Sequence, residues 1–264
     1  MIAKFDLSRL FDVSGKVVLV TGGAQGLGRM IAEGFVTAGA KVVITSRKAA
    51  VAEDAAEQMR AHGSCTSIAA DLTTPEACTA LAKQLAEVSD TLDVLINNAG
   101  RTWGGPLASF PDKAWASVMA VNVQAPFTLV RDLLPLLTRA AAKQGPSRVI
   151  NVGSLAGKTV EPLSAFSYAT SKAAVHHLTR ILAAELALQS ITVNTLVPGY
   201  FPTQMTSHIR AEEDRLRDLV SRVPLGRLGT AEDAVGACLL LASRAGAYIT
   251  GSEIVIDGGM SGCR

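Results

Sequence analysis

A tyrosine and a lysine lie four residues apart in the segment Tyr168-Ala169-Thr170-Ser171-Lys172. On a helix this spacing places both side chains on one face. A free phenol, with a pKa of about 10, exchanges protons poorly at neutral pH, whereas a nearby ammonium stabilises the phenolate and lowers that pKa. The pair is therefore an acid/base candidate, although the spacing alone is better explained by a core aromatic residue and a surface lysine.

Two further polar residues make the tyrosine–lysine pair informative. Ser154 follows the apolar segment Arg148–Val152 and precedes Tyr168 by fourteen residues. If that segment is a strand, the Ser154 hydroxyl lies at the carboxyl edge of the sheet, where α/β proteins bind ligands. Asn122 lies inside a long apolar helical stretch, 112–143. A polar side chain in that position needs a partner, and a water or a lysine relay would supply one.

A glycine-rich turn lies near the start of the chain, in Thr21-Gly22-Gly23-Ala24-Gln25-Gly26-Leu27-Gly28. Gly22 permits a tight turn, Gly26 lets the backbone approach a pyrophosphate, and Gly28 allows close packing of a helix on a strand. The spacing is G-x-x-x-G-x-G rather than G-x-G-x-x-G. Because the turn follows a strand and opens a helix, it predicts an anion site on the helix N-terminus, with an ordinary glycine turn as the alternative.

The residues after the second predicted strand indicate which dinucleotide would bind. An NAD site carries an acidic residue near this point, which holds the ribose 2′-hydroxyl. The sequence instead reads Thr45-Ser46-Arg47-Lys48. The Arg47 guanidinium suits a 2′-phosphate, with Ser46 as an additional donor. We therefore expect NADP(H), against the alternative that Arg47 and Lys48 are a solvated pair in a loop.

The elements that would position these residues alternate between strand and helix. Strands that are apolar throughout are covered on both faces, and strands joined by helices pair in parallel with right-handed crossovers. The pattern predicts a single doubly wound Rossmann-type α/β domain over 1–264, with a parallel seven-stranded sheet and helices on both faces. The predicted strands are Lys16–Val20, Lys41–Thr45, Ser64–Ala70, Leu92–Ile96, Arg148–Val152, Ile191–Leu196 and Glu253–Ile256.

Composition excludes several classes of function. The chain has 264 residues, 48% of them hydrophobic, and a net charge of +2. No basic stripe suggests nucleic-acid binding, and no apolar run approaches the ~20 residues that span a bilayer. The N-terminus lacks the apolar core of a secretory signal, so we expect a cytoplasmic protein with 1–14 as a short surface segment.

The cysteines and histidines give no indication of a metal site. Four cysteines are scattered without C-x-x-C spacing, which is typical of reduced thiols in the cytosol. They are Cys65, Cys78, Cys238 and Cys263. His176 and His177 are adjacent and would point about 100° apart on a helix, which is poor geometry for a shared metal. We expect both histidines to be partly exposed helix residues.

Taken together, these motifs resemble the short-chain dehydrogenase/reductase family over essentially the whole chain, from Thr21 to Gly259. The family's catalytic tetrad falls on Asn122, Ser154, Tyr168 and Lys172. The resemblance implies that Tyr168 protonates a carbonyl oxygen while hydride arrives from a nicotinamide, and that Ser154 orients that oxygen. It further implies that Lys172 lowers the tyrosine pKa and binds the nicotinamide ribose, and that Asn122 holds a water that returns protons to Lys172.

The same resemblance implies a set of cofactor contacts. Asp71 and Leu72 match the adenine-contacting position, Asn98 to Gly100 match the adenosine ribose side, and 198–203 match the loop that holds the carboxamide, with Thr203 as its hydroxyl. The closing segment 248–259 matches one that usually serves subunit contacts, so a homodimer or homotetramer is expected. The full cofactor set is Gly22, Gln25, Gly26, Leu27, Gly28, Ser46, Arg47, Asp71, Leu72, Asn98, Ala99, Gly100, Tyr168, Lys172, Pro198, Gly199, Phe201 and Thr203.

The substrate is less constrained than the reaction. Apolar residues expected at the pocket mouth suit an acyl chain or a hydrophobic ketone, and the alternative is that several of them pack the lid. They are Trp103, Leu107, Leu155, Pro162, Phe166, Tyr200 and Met205. The charged stretch 203–222 predicts a mobile lid, and a docking patch for acyl carrier protein is weakened by its mixed charges.

Three local segments resemble 3-oxoacyl-[acyl-carrier-protein] reductases of the rhamnolipid-synthesis type: Thr102–Gly104, Leu133–Leu137 and Ala247–Gly251. We therefore expect NADPH-dependent reduction of a small-molecule ketone, a 3-oxoacyl thioester or a similar apolar ketone. One alternative is a sugar or polyol dehydrogenase, for which only Gln204, His208 and Arg210 would supply polar contacts. The other is a non-catalytic nucleotide sensor, and the intact tetrad argues against it.

Overall fold

The computed structural model of the chain describes residues 6–161, 164–203 and 212–263. Within these ranges seven strands form one parallel sheet in the order β3-β2-β1-β4-β5-β6-β7. The strands are β1 (Val17–Val20), β2 (Lys41–Ser46), β3 (Cys65–Ala69), β4 (Val94–Asn97), β5 (Ser147–Val152), β6 (Ile191–Pro198) and β7 (Glu253–Ile256). The predicted parallel seven-stranded sheet is confirmed.

The described ranges also hold nine α-helices, most of which connect successive strands. They are α1 (Leu7–Leu10), α2 (Gly26–Thr37), α3 (Ala49–Arg60), α4 (Pro75–Val88), α5 (Asp112–Met119), α6 (Ala125–Gln144), α7 (Phe166–Leu186), α8 (Glu213–Ser221) and α9 (Ala231–Ala242). None of these helices combines the length and the apolar character that a bilayer crossing needs. Helix α1 buries none of its side chains, as expected for a surface segment.

Helices cover both faces of the sheet because neighbouring strand residues point to opposite sides. In β1, Leu19 packs in one apolar cluster and Val20 in the other. In the first cluster, α2, α3 and α9 supply side chains such as Phe35, and in the second, α4, α6 and α7 supply side chains such as Leu133. Strand β1 is therefore apolar on both faces, as the sequence pattern indicates.

The strand order reverses between β1 and β4. The chain runs from β1 outward to β2 and β3, then returns to pair β4 with the other side of β1. Doubly wound sheets bind ligands at such a switch point, outside the carboxyl ends of the strands. Thr21 follows β1 there and Asn97 ends β4, so the glycine turn and the asparagine segment lie side by side.

The long helix predicted over 112–143 is interrupted. Helix α5 ends at Met119, one π turn follows over Ala120–Gln124, and α6 begins at Ala125. A π turn inserts an extra residue into the helical repeat and is frequent at functional sites. Asn122 lies inside this turn and is buried. Helix α7, which carries the tyrosine–lysine pair, begins at Phe166 and is followed by a 3₁₀ turn over Ala187–Gln189.

Candidate active site

The glycine turn exposes the first turn of α2. Gly22 and Gly26 adopt φ angles of +65° and +55°, which residues that carry a side chain rarely adopt. Gln25 precedes α2 and its side chain does not cap the helix, so the first N–H groups face outward. Leu27 packs on the core beside them. The turn therefore combines free main-chain donors with the positive end of a helix, which suits a pyrophosphate.

The segment after β4 holds the glycine turn in place. The Thr21 hydroxyl accepts hydrogen bonds from the main-chain N–H groups of Asn98 and Ala99, both at 3.0 Å. The Asn98 amide donates in return to the main-chain oxygens of Thr21 (2.9 Å) and Gly22 (3.3 Å). The side chain of Asn98, a residue predicted to line the ribose side of the cofactor, thus bonds the glycine turn. Thr21 was not among the predicted site residues. Its only signal in the sequence is its position directly before the glycine run.

The end of β2 presents a cation toward the same edge. Ser46 is the last residue of β2, and its hydroxyl accepts a hydrogen bond from the main chain of Lys48 at 3.4 Å. Arg47 is exposed, and among the described residues its guanidinium has no acidic partner. Arg29, by contrast, bonds Glu33 and Gln58, each at 2.7 Å, which assigns it to the surface. Arg47 is therefore the residue at this edge available to a 2′-phosphate.

Asp71 and Leu72 follow β3 on the same side of the sheet. Asp71 is exposed, whereas the Leu72 side chain is 5% exposed and packs in the apolar cluster with Leu95. Both residues thus lie at the carboxyl edge of the sheet, where doubly wound folds bind dinucleotides. The adenine contact that the resemblance implies stays a prediction.

Ser154 and Tyr168 meet at the end of β5. Ser154 follows the strand, and its hydroxyl accepts a hydrogen bond from the Ala156 main chain at 3.2 Å. Tyr168 lies in the first turn of α7. Burial raises the pKa of the Tyr168 phenol above its ordinary value, and a hydrogen bond from Ser154 acts in the opposite direction. The Tyr168 phenol is therefore protonated at neutral pH, and it contacts the Ser154 hydroxyl. The two groups could bind the same substrate atom.

Lys172 lies one helical turn beyond Tyr168, as the spacing predicts. Its ammonium donates a hydrogen bond to the main-chain oxygen of Val152 at 2.6 Å and lies 5.7 Å from the centre of the tyrosine ring. The side chain is buried, and burial lowers the pKa of Lys172 to about 8. Since the residue is desolvated, its ammonium exchanges protons far more readily than an ordinary lysine.

Asn122 ties three parts of the site together. Its Oδ1 accepts from the Arg101 main-chain N–H at 2.8 Å, and its Nδ2 donates to the Arg101 oxygen and to the Ser171 hydroxyl, both at 2.9 Å. Ser171 in turn donates to the Tyr168 main-chain oxygen at 2.7 Å. The side-chain partners of Asn122 are thus Arg101 and Ser171, and not a lysine. Ser171 was missed by the sequence reading, and its only signal is its position directly before Lys172.

Gly100 lies between the asparagine and the lysine. A Cβ atom built on Gly100 would lie 3.5 Å from Asn122 Oδ1 and 3.9 Å from Lys172 Nζ. The end of the β4 segment thus adjoins the two inner members of the tetrad. The structure brings Asn122, Ser154, Tyr168 and Lys172 to one region at the carboxyl edge of β4 and β5.

The loop after β6 closes over the glycine turn. Pro198 ends the strand, and Gly199 approaches Asp257 so closely that an added Cβ would lie 2.8 Å from the Asp257 Cα. Phe201 is buried in the first apolar cluster. Thr203 reaches back to the turn, where a Cβ on Gly26 would lie 3.4 Å from Thr203 Cβ. A ligand on the turn would therefore meet the Thr203 residue, as the loop resemblance implies.

Apolar side chains lie near the tetrad, with different degrees of exposure. Leu155 is buried, Phe166 and Tyr200 are half-buried, and Trp103 and Leu107 are 44% and 76% exposed. The Tyr200 hydroxyl donates to Glu161 Oε2 at 3.2 Å. Burial and, to a smaller extent, the Glu161 carboxylate raise the pKa of Tyr200 to about 12. The other predicted pocket residues lie outside the described residues: Pro162, Gln204, Met205, His208 and Arg210.

The two adjacent histidines differ in environment. His177 is exposed, whereas His176 is only 4% exposed, so the prediction that both are partly exposed was wrong for His176. Two neighbouring helix positions point about 100° apart, and on a helix packed along one side only one of them faces the protein. Among the described residues, no cluster of three or more histidine, cysteine or acidic residues could hold a metal ion.

Comparison with known proteins identifies the class. A family model described as enoyl-(acyl carrier protein) reductase matches residues 22–261. The rhamnolipids biosynthesis 3-oxoacyl-[acyl-carrier-protein] reductase of Pseudomonas aeruginosa is 45% identical over 94% of this chain and 97% of its own length. The galactitol 2-dehydrogenase (L-tagatose-forming) of Cereibacter sphaeroides is 37% identical over 96% and 98%. The chain belongs to the short-chain dehydrogenase/reductase family of oxidoreductases.

A solved structure agrees with this assignment. The Pseudomonas aeruginosa RhlG/NADP active-site complex superposes with a TM-score of 0.93 at 44% identity, covering 96% of this chain and 99% of that one. The Rossmann-type fold and the family expected from the tyrosine, lysine and glycine motifs are therefore confirmed. Because relatives at 45% and 37% identity are named for an oxoacyl reductase and a polyol dehydrogenase, family membership leaves the substrate open.

Proposed function

We propose that this protein catalyses the NADPH-dependent reduction of a ketone to a secondary alcohol, with a 3-oxoacyl thioester as substrate. The observation that carries the proposal is the contact of Ser154 with Tyr168 beside the buried Lys172. This group lies at the same sheet edge as the uncapped N-terminus of α2. A proton donor, a second hydroxyl and a phosphate-binding turn on one edge fit carbonyl reduction by a dinucleotide.

Tyr168 is proposed as the proton donor. Reduction of a carbonyl adds a hydride to carbon and a proton to oxygen, so the donor must be protonated before the reaction. Burial of the phenol, which raises the Tyr168 pKa, keeps it in that form at neutral pH. The Ser154 hydroxyl would donate a second hydrogen bond to the same carbonyl oxygen and stabilise the negative charge that develops there.

Lys172 is proposed to restore the proton and to bind the cofactor ribose. An ammonium has three N–H donors, of which one bonds the Val152 oxygen. With a pKa of about 8, the group gives up and recovers a proton near neutral pH. Asn122 is proposed to order this region rather than to hold a water through its side chain, because its amide already bonds Arg101 and Ser171.

The residues present fit NADP(H). When bound, this cofactor supplies the hydride. Its pyrophosphate would lie on the first turn of α2 between Gly22 and Gly26, and its 2′-phosphate beside Ser46 and the exposed guanidinium of Arg47. That the RhlG structure is described as an NADP complex supports this choice.

The apolar side chains around the tetrad support an acyl substrate. The exposed Trp103 and Leu107 and the half-buried Phe166 offer apolar surface to an acyl chain. A polyol would leave its hydroxyls unpaired against these three side chains. The name of the Pseudomonas aeruginosa relative points to the same substrate class.

The deciding experiment measures NADPH consumption with acetoacetyl thioesters and, in the reverse direction, NADP⁺ reduction with a panel of polyols. We expect turnover of the thioester, and a loss of about 10²- to 10⁴-fold in kcat for Tyr168→Phe, the range that a general acid contributes. Tyr248→Phe is the matched control, because Tyr248 is fully exposed. Preference for a polyol would select the dehydrogenase alternative, and an undiminished Tyr168→Phe would overturn the mechanism.

Two partners are also proposed. The first is acyl carrier protein, on the name of the relative alone. The two arginines of α8, Arg215 and Arg217, both pair with acidic neighbours, so this helix adds no support. Comparing carrier-protein and coenzyme A thioesters tests this. The second is a copy of the chain in a dimer or tetramer, which would cover the exposed Trp115 and Phe127. Light scattering measures that state.

The cysteines support a proposed location in the cytoplasm. All four are free, and three are buried. Burial raises the pKa of Cys65 and of Cys78 to about 11 and that of Cys238 to about 12, which keeps them as unreactive thiols. Such thiols are typical of a reducing compartment.

A further inference from the structure

The buried ring of His176 contacts the strand end that carries Ser154. His176 lies on α7, one turn beyond Lys172. A Cβ atom added to Gly153 would lie 2.1 Å from His176 Nε2, so only a glycine allows the ring to approach β5 this closely. The next residue, Ser154, donates its main-chain N–H to the same Nε2 at 3.3 Å. The imidazole thus bonds the backbone of the residue whose hydroxyl meets Tyr168.

The other ring nitrogen faces a carboxylate from a distant part of the chain. His176 Nδ1 lies 3.6 Å from Oε1 of Glu253, the first residue of β7. Because a main-chain N–H can only donate, Nε2 must be the unprotonated nitrogen, and the ring proton lies on Nδ1, toward Glu253. Glu253 also binds Lys158 Nζ at 3.1 Å and Arg180 Nη1 at 3.2 Å, which holds the carboxylate in place.

We propose that His176 and Glu253 form a positioning dyad, which holds the Ser154 main chain so that its hydroxyl meets Tyr168, and which releases Ser154 when His176 is protonated. This rests on the proposed catalytic role of Ser154. His176 itself touches neither the substrate position nor Tyr168, so it is a positioning residue. The dyad also links the last strand of the sheet to the reacting groups.

Protonation of His176 would break its hydrogen bond with the Ser154 main chain, and the reason is geometric. A doubly protonated ring carries N–H on both nitrogens, so Nε2–H would face the Ser154 N–H, donor against donor. A buried donor without a partner costs about 1–3 kcal/mol. The segment that follows β5 would have to move to relieve this, and the Ser154 hydroxyl would move with it.

Four charged groups act on the ring. Glu253 comes from β7, Lys158 from the turn after β5, and Lys172 and Arg180 from α7 itself. Burial lowers the pKa of His176 most, Lys172, Lys158 and Arg180 lower it further, and Glu253 raises it. The net lowering keeps the ring neutral at neutral pH, so the holding form is the resting form. Activity should fall as pH drops through the lowered His176 pKa, below the ordinary histidine range.

Three variants distinguish the effects of losing the His176 acceptor, of losing its titration and of changing the side-chain volume. His176→Leu fills much of the space but removes the acceptor. His176→Gln can place its carbonyl oxygen near the position of Nε2 and cannot be protonated. We expect kcat to fall about tenfold or more in the first and to recover in the second, with the acid limb of the kcat–pH profile lost. Glu253→Gln should shift that limb to lower pH, because the charged ring loses its partner.

Controls distinguish positioning from packing. His62→Leu alters an exposed histidine in the turn after α3, away from the dyad, and should change nothing. In a Ser154→Ala background, His176→Leu should cause no further loss of kcat, because the residue acts through Ser154. If His176→Leu and His176→Gln lower kcat equally, or if His176→Leu lowers it by the same factor without the serine hydroxyl, the dyad is only a packing element and the proposal is overturned.

One measurement does not depend on turnover. In protein labelled with ¹⁵N-serine, the amide signal assigned through Ser154→Ala should titrate with a midpoint below the ordinary histidine range, and it should stop titrating in His176→Gln. A Ser154 amide that is insensitive to pH would overturn the dyad even in an active enzyme. A titrating amide in a protein that reduces no ketone would instead contradict the proposed function and leave the dyad in place.

Discussion

A Cβ atom placed on Gly28 would lie 2.2 Å from the Nδ2 atom of Asn98, and 2.5 Å from the main-chain oxygen of Gly22. The same Nδ2 donates to the Gly22 oxygen at 3.3 Å. The first turn of α2, the glycine turn and the segment after β4 thus meet at a point with no room for a side chain. The third glycine of the motif is needed for the packing that shapes the phosphate site.

Gly28→Ala should therefore damage both the site and the fold. The methyl group must push Asn98 away from the turn, and overpacking of this kind costs about 1–3 kcal/mol. We expect a KM for NADPH raised at least about tenfold, and a lower free energy of unfolding. Gly236→Ala is the matched control, because nothing lies within 4 Å of its added Cβ in α9. A helical alanine there should stabilise by about 1 kcal/mol. Equal NADPH binding in both variants would contradict the packing argument.

Arg47→Ala should discriminate between the two cofactors. Its exposed guanidinium is proposed to bind the 2′-phosphate, which NADH lacks. We expect kcat/KM to fall about tenfold or more with NADPH and to change little with NADH, and the NADPH value of the parent to decline with added salt. Arg29→Ala is the control, since that arginine already pairs with Glu33. Equal losses with both cofactors would remove the 2′-phosphate assignment.

Asn122→Ala should cost more than Ser171→Ala. The asparagine change removes three bonds, two to the Arg101 main chain and one to the Ser171 hydroxyl, whereas the serine change removes two, one from Asn122 and one to the Tyr168 oxygen. Each unsatisfied buried group costs about 1–3 kcal/mol. We expect a larger loss of stability in the first variant than in the second, measured by denaturant unfolding, and a lower kcat in both. Similar stabilities would show that water replaces the amide.

The sequence predicted the sheet well because its strands are apolar on both faces and are bounded by glycine or polar residues. Leu19 and Val20 face opposite helix layers, and a continuous apolar run is what such a strand requires. The tyrosine–lysine and glycine spacings were also readable, since each lies within one helix or one turn. The lid predicted over 203–222 stays a prediction, because 204–211 lie outside the described residues.

Relations between distant segments could not be read from spacing. The apolar periodicity of 112–143 runs on through the π turn, so the pattern does not indicate that the helical repeat changes at Asn122. The burial of His176 depends on Glu253 from the last strand and on the absence of a side chain at Gly153. Neither partner is near His176 in sequence, and their effect appears only when β5, α7 and β7 are assembled.

The burial of Lys172 predicts an enzyme that becomes more stable when its lysine is removed. In the unfolded chain the Lys172 pKa is about 10.4, whereas in the folded protein burial lowers it to about 8. Below the folded pKa the ammonium is charged in both states, and folding bears its full desolvation cost. As pH rises from about 8 toward 10.4, the unfolded chain binds more protons than the folded one, so the cost disappears and stability rises.

Lys172→Met should abolish reduction and yet raise the free energy of unfolding at pH 7, on the order of 1 to 3 kcal/mol, because the lost hydrogen bond to Val152 offsets part of the gain. The difference from the parent should shrink as pH approaches 10.4, measured by denaturant unfolding at pH 7 and pH 9.5. Comparing the two proteins at each pH removes the contribution of the buried cysteines, which titrate in both. Lys143→Met changes an exposed lysine and should show no pH-dependent difference. If Lys172→Met were less stable than the parent at pH 7, the bond to Val152 would outweigh the burial of the charge.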